Sequence, residues 1–180
     1  ELIERIAAKG DGVTASGRFA PGSAPGDLLL PDGSITPGPH RAEPACRHYG
    51  QCGGCQLQHV DEETLARFVF ERVAHAARGQ GLGPARMPPA HLSPPASRRR
   101  ATLHAMTSGG RVLLGYREAR SHKLVDLAEC PVLVPELVAL ISPLRKLLAR
   151  MGGRIAVDID LALTDQGVDA GLKGLKVEGL

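Results

Sequence analysis

Apolar and polar positions alternate most regularly in the last third of the chain. Ile155, Val157, Ile159, Leu161 and Leu163 fall on every second residue, the period of a strand with one buried face. The segments Arg154–Leu163 and Val168–Leu175 flank Thr164-Asp165-Gln166-Gly167, so the pattern predicts a hairpin. Shorter runs predict strands at 99–106, 111–116 and 122–127, the first two joined at Ser108-Gly109-Gly110. Two stretches have helical spacing instead. Asp61 predicts an N-cap for a helix over 62–78, with Leu65, Phe68, Val69, Val73, Ala76 and Ala77 on one stripe. A second helix is expected over 135–150, started by Pro135 and kinked or split by Pro143. Residues 1–39 predict short strands at Leu2–Ala7, Val13–Phe19 and Asp27–Leu30 between Gly, Pro and Asp turns, which suggests a small or incomplete barrel. The Gly- and Pro-rich stretch 79–97 reads as a linker.

Composition adds a constraint on the core. The 180 residues hold 22 glycines and 14 prolines, no Trp, and only 3% aromatics. Small subdomains are therefore expected, with a metal site replacing part of a large core. No apolar run approaches the length of a membrane span, and the N-terminus lacks the layout of a signal peptide. A cytoplasmic setting is the expectation, and there cysteines more often mean metal or redox chemistry than disulfides. The chain opens on Glu1 and closes on KVEGL, which reads as a fragment.

The four cysteines are Cys46, Cys52, Cys55 and Cys130, spaced C-x5-C-x2-C-x74-C. Four thiolates can close a metal site. Zinc sites of this kind usually present two short knuckles; here only Cys52 and Cys55 form one. An iron–sulfur cluster tolerates uneven spacing, and Gly53 and Gly54 leave backbone amides free to approach its sulfides. Cys130-Pro131 is similar to the Cys-Pro ending of ferredoxin runs. Spacing alone leaves cluster and zinc both open. A site of three cysteines with His48 or His59 is a lesser alternative. Gln58 and His59 read as packing or hydrogen-bonding residues beside the loop, not as a catalytic base. Gly79-Gln80-Gly81-Leu82-Gly83 follows a helix and runs into Pro84, so it reads as a helix-ending loop and not a cofactor cradle.

The run CRHYGQCGGCQLQH resembles the [4Fe–4S] signature of bacterial 23S rRNA (uracil-5-)-methyltransferases, C-x5-C-G-G-C-x2-Q-H, with a fourth cysteine far downstream. IERIAAKGDGV resembles the start of that family's TRAM domain, and LLGYREARSHKLVDLAEC the stretch leading to its fourth cysteine. The resemblance implies an α+β chain: a shortened TRAM/OB-type β domain over 1–40, then a truncated, iron–sulfur-stapled central domain over 41–180. It implies Cys46, Cys52, Cys55 and Cys130 as cluster ligands and S-adenosylmethionine as cofactor of a catalytic domain absent from the match. Such enzymes add a cysteine thiolate to uracil C6 before C5 takes the methyl group. With all four cysteines assigned to metal, none remains for that step, so this chain alone is expected to be inactive.

Residues 98–123 hold Arg98, Arg99, Arg100, Arg111, Arg117, Arg120 and Lys123 against one acid, Glu118. That excess suits phosphate contacts. The candidate RNA-binding set is Arg98, Arg99, Arg100, Arg117, Arg120, His122 and Lys123, and Tyr116 adds a ring on which a base can stack. The partner expected is ribosomal RNA, with no membrane and a monomeric state. The rival readings are a non-catalytic RNA-binding module stapled by zinc or iron–sulfur, and, least favoured, an electron carrier.

Overall fold

The computed structural model describes residues 1–83, 86–119 and 121–175. The chain divides into two compact units. The first joins Glu1–Ala45 to Cys55–Leu92, and the second joins Cys46–Gly54 to the chain from Ser93 onward. The division therefore falls inside the cysteine motif, between Gly54 and Cys55.

In the first unit, β1 (Ile3–Ile6), β2 (Gly12–Thr14) and β3 (Phe19–Ala20) form an antiparallel sheet, and β4 (Leu28–Leu29) pairs with β5 (Ile35–Thr36). The single strand expected over Val13–Phe19 is two strands. Ser16-Gly17 turns the chain between them: Gly17 takes a φ of +85°, and Thr14 Oγ1 accepts from the Arg18 amide. β5 was not legible in the pattern, because a two-residue strand has no period. Its hairpin rests on Asp32, whose carboxylate accepts from the Ser34 amide and hydroxyl.

A buried carboxylate just before β4 ties the turn ahead of that strand to the loop that follows β5. Asp27 is 0% exposed and accepts from the Ala24 and Gly38 amides, both at 2.7 Å, and from the Arg41 guanidinium. Burial pushes its pKa up, but the Arg41 hydrogen bond and the two amides outweigh this, and the net shift is downward. A side chain at Gly38 would place Cβ 2.1 Å from the Gly26 carbonyl oxygen, so only glycine fits there.

Helix α1 (Glu62–Gly79) starts where its cap predicts: the Asp61 side chain accepts from the Thr64 amide at 2.7 Å. Its first turns pack through Leu65 and Phe68 on Ile6, Ala24 and Val60. The expected apolar stripe does not stay buried. Val69 and Val73 are 36% and 58% exposed, and the buried positions are Thr64 and Ala74. The helix is about 27 Å long at 1.5 Å per residue, more than the small core beneath its first turns covers. The glycines after it close the helix, with the Gln80 and Gly81 amides donating to the Ala77 and Arg78 carbonyls.

The second unit is a five-stranded antiparallel sheet in the order β10-β9-β6-β7-β8, from β6 (Arg100–Ser108), β7 (Arg111–Arg117), β8 (Leu124–Asp126), β9 (Ala156–Thr164) and β10 (Gly167–Lys173). The β9–β10 hairpin is the one the alternation predicts, with Thr164 paired to Gly167. Helix α2 (Pro135–Met151) lays Leu137, Ile141 and Leu148 on one face of this sheet, against Leu103, Leu114, Val157, Ile159 and Leu161. It is not split at Pro143. A proline forfeits one hydrogen bond, and buried residues on both sides of it hold the helix to the core. Among the described residues no helix is long and apolar enough to cross a membrane.

Candidate metal centre and nucleic-acid face

In the second unit the cysteine loop docks on the end of β7. The Gly53 amide donates to the Arg117 carbonyl at 2.9 Å, the Ala119 amide donates to the Gln51 carbonyl at 3.1 Å, and Cys52 bridges Glu118 in antiparallel fashion. The Gln51 amide side chain also reaches Glu118 at 3.0 Å. The loop thus behaves as a short added strand. Gly53 permits this approach, since a Cβ there would lie 2.8 Å from the Arg117 carbonyl oxygen. The role expected for this glycine was to let amides face a cluster; its local role is to seat the loop on the sheet.

Cys130 is half-buried against the sheet–helix core. The chain after it is held by Arg98: the Arg98 amide donates to the Val132 carbonyl, and the Val134 amide donates to the Arg98 carbonyl. Arg47, next to Cys46, pairs with Glu129, next to Cys130, at 3.2 Å. Three of the four predicted ligands therefore sit on loops tied to one another within this unit. Tyr116 lies beside Cys52. A Cβ built on Gly54 would lie 3.2 Å from Tyr116 Cδ2 and 3.4 Å from Cys52 Sγ, to which the Gly54 amide donates at 3.4 Å. Burial, then the Cys130 thiol, raises the Tyr116 pKa, with Cys52 adding to this and Arg98 opposing.

Among the described residues no group of three or more His, Cys, Asp or Glu side chains is gathered as a metal site. Thiol sulfur is the donor type that an iron–sulfur cluster takes. None of the four cysteines forms a disulfide, the Gly54 amide donates to Cys52 Sγ, and Nε2 of His48 is buried without a hydrogen-bond partner. Cys55 belongs to the first unit, as does His59, which is 2% exposed. Burial holds the His59 pKa below its usual value, which suits a packed neutral imidazole.

The basic residues are more dispersed than their sequence density suggests. Arg98 points its guanidinium toward the Gly54 carbonyl at 3.4 Å, and Arg99 toward Asp165 at 3.6 Å and the Leu163 carbonyl at 3.4 Å. Arg100 lines a shallow hollow with Thr102, Asp160 and Asp169 on the sheet face opposite α2. Arg117 and His122 line another hollow with His104, Met106, Asp158 and Lys173. Lys123 is exposed in the turn before β8, and Arg120 lies outside the described residues. The acids on this face come from β9 and β10. Asp158 pairs with His104, and Asp160 with Thr102 and Lys173. Tyr116 is not offered to a base: like Val112 and Leu114 it lies on the core side of β7, and its hydroxyl is buried.

No protein-family model matches the chain. Its relatives are consistent in kind. A protein of Zymomonas mobilis named an uncharacterized RNA methyltransferase is 45% identical over 168 residues, 93% of this chain and 42% of that protein. A Caulobacter vibrioides protein of the same description is 38% identical over 191 residues, 97% of this chain and 46% of its own length. The chain belongs to this family of RNA methyltransferases. Within it, the chain is similar to the 23S rRNA (uracil(1939)-C(5))-methyltransferase RlmD of Pectobacterium carotovorum, 42% identical over 125 residues, 65% of this chain and 27% of that enzyme. The chain spans less than half the length of these curated relatives.

Proposed function

We propose that this chain is the RNA-recognition and iron–sulfur portion of an S-adenosylmethionine-dependent RNA (uracil-C5-)-methyltransferase acting on 23S rRNA. The observation that carries the reading is the 42% identity to the uracil-C5 enzyme RlmD, joined to the cysteine motif. In this reading the 1–40 region is a shortened TRAM/OB-type domain, and Cys46, Cys52, Cys55 and Cys130 hold a [4Fe–4S] cluster. The cluster, when bound, supplies a rigid multivalent staple and no step of methyl transfer. The protein's own residues do the rest. Gly53 and Gln51 seat the cysteine loop on β7, Arg98 anchors the segment after Cys130, and Arg100, Arg117, His122 and Lys123 offer charge to phosphates.

The methyl-transfer step needs a thiolate for uracil C6 and a base for the C5 proton. Because the cluster takes all four cysteines, the nucleophile comes from outside these 180 residues. The test uses the full-length protein with methyl-labelled S-adenosylmethionine and 23S rRNA. Mass spectrometry of the digested RNA should find 5-methyluridine, and the 180-residue chain alone should transfer nothing. A methyl group on ribose or on another base would overturn the assignment.

A further inference from the structure

The first unit holds a groove of about 780 Å³ between β1 and one face of α1. Its α1 wall runs from Thr64 to His75, about 16 Å at 1.5 Å per residue. That is room for about four nucleotides of a strand rising ~3.4 Å each. Cations stand on both walls: Arg5 on the strand, Arg67 and Arg72 on the helix, all three exposed. Each helical guanidinium uses one N–H on a neutral oxygen. Arg67 Nη2 donates to the Thr64 hydroxyl at 3.3 Å, and Arg72 Nη1 to the Ala8 carbonyl at 3.4 Å. A guanidinium carries five N–H donors, so each keeps most of them for an anion.

Arg72 also lies over the Phe68 ring, 5.6 Å from its centroid, and Phe68 packs on Ile6, Ala24 and Val60. A guanidinium seated on an anchored ring offers a base a flat surface for stacking. Glu4 and Glu71 line the groove as well. They oppose an unbroken row of phosphates, and as acceptors they suit the amino groups of unpaired bases. We propose that this groove holds a single-stranded segment of the RNA, with Arg5 and Arg67 on phosphates and Arg72 beneath a base. It adds a contact in the first unit to the basic residues of the second, and it rests on the reading above that the chain recognises RNA. A duplex does not suit the groove, because its stacked and paired bases leave no free face for Arg72.

The test titrates the full-length protein, over a range of salt, with a labelled single-stranded RNA of about 12 nucleotides and with the same sequence as a duplex, read by fluorescence anisotropy. The parent should bind the single strand more tightly. Arg5→Gln and Arg67→Gln should each weaken binding and flatten the plot of log K against log salt by about 0.7. Arg72→Gln should weaken binding about tenfold. Arg72→Lys should not restore it, because an ammonium keeps the charge and loses the flat face. Glutamine variants at 5, 67 and 72 that bind like the parent, while Arg117→Gln binds less well, overturn the inference and leave the function proposed above standing. Equal affinity for the duplex also overturns the inference. Single-strand binding with the expected losses, in a protein that forms no 5-methyluridine, overturns the proposed reaction and leaves the groove standing. Should Arg72→Gln unfold through its lost ring contact, Arg5→Gln decides, since it leaves α1 untouched.

Discussion

Asp27 has the clearest energetic role of any single side chain. It is buried, it satisfies two amides, and it pairs with Arg41. Removing one member of a buried pair leaves the other uncompensated, at about 3–5 kcal/mol. Asp27→Asn is therefore expected to destabilise the first unit by about 3 kcal/mol near neutral pH. The sign with pH follows from the lowered folded pKa. The contribution is fully present above the unfolded value of about 3.9 and is lost as pH falls through the folded one. Urea unfolding at pH 7 and near pH 3 checks this, and the gap between parent and variant should shrink in acid. A gap of equal size at both would contradict the account. None of this was legible in the sequence. Asp27 stands in an ordinary Gly-Asp turn, and its partners lie up to fourteen residues away. Tyr116 was legible only as an aromatic near arginines. Which way it faces depends on strand phase, and the alternation through Leu114 supplies that only once the core side is known.

Elements with a long, regular pattern were read correctly. The β9–β10 hairpin, α1 with its Asp61 cap, and the strands β6 and β7 all lie within a few residues of their expected bounds. The errors have local causes. The Ser16-Gly17 turn splits what reads as one strand, and a well-anchored helix runs unsplit through Pro143. The stripe on α1 failed for another reason: periodicity says which residues share a face, not how far the partner surface extends. The docking of the cysteine loop on β7 was not legible, because its ladder runs between segments more than sixty residues apart. It makes a test. Gly53→Ala places a methyl against the Arg117 carbonyl, so the loop must lift from β7. The variant should lose amide-exchange protection at position 53 and at Ala119 and lose most of its bound iron, while the β9–β10 hairpin keeps its protection. Parental iron content in this variant would show that the seating does not matter for the metal.

At the scale of the whole chain, the two compact units meet in sequence between Gly54 and Cys55. Cys46, Cys52 and Cys130 belong to one unit and Cys55 to the other. The cysteine spacing and its glycines were fully legible, and so was the family, because CGGCQLQH is a contiguous string that needs no fold to be read. The basic face was legible only as a density. The acids of β9 and β10 that share the open sheet face are distant in sequence, and they temper its charge. The proposed assignment of all four cysteines to one cluster is the claim on which the ligand set and the external nucleophile both depend. Iron and acid-labile sulfide in anaerobically purified protein, read beside the visible spectrum, test it most directly. The account predicts a brown protein with about four irons and four sulfides per chain, lost together when any one of the four cysteines becomes serine. A colourless protein holding a single zinc ion would contradict it.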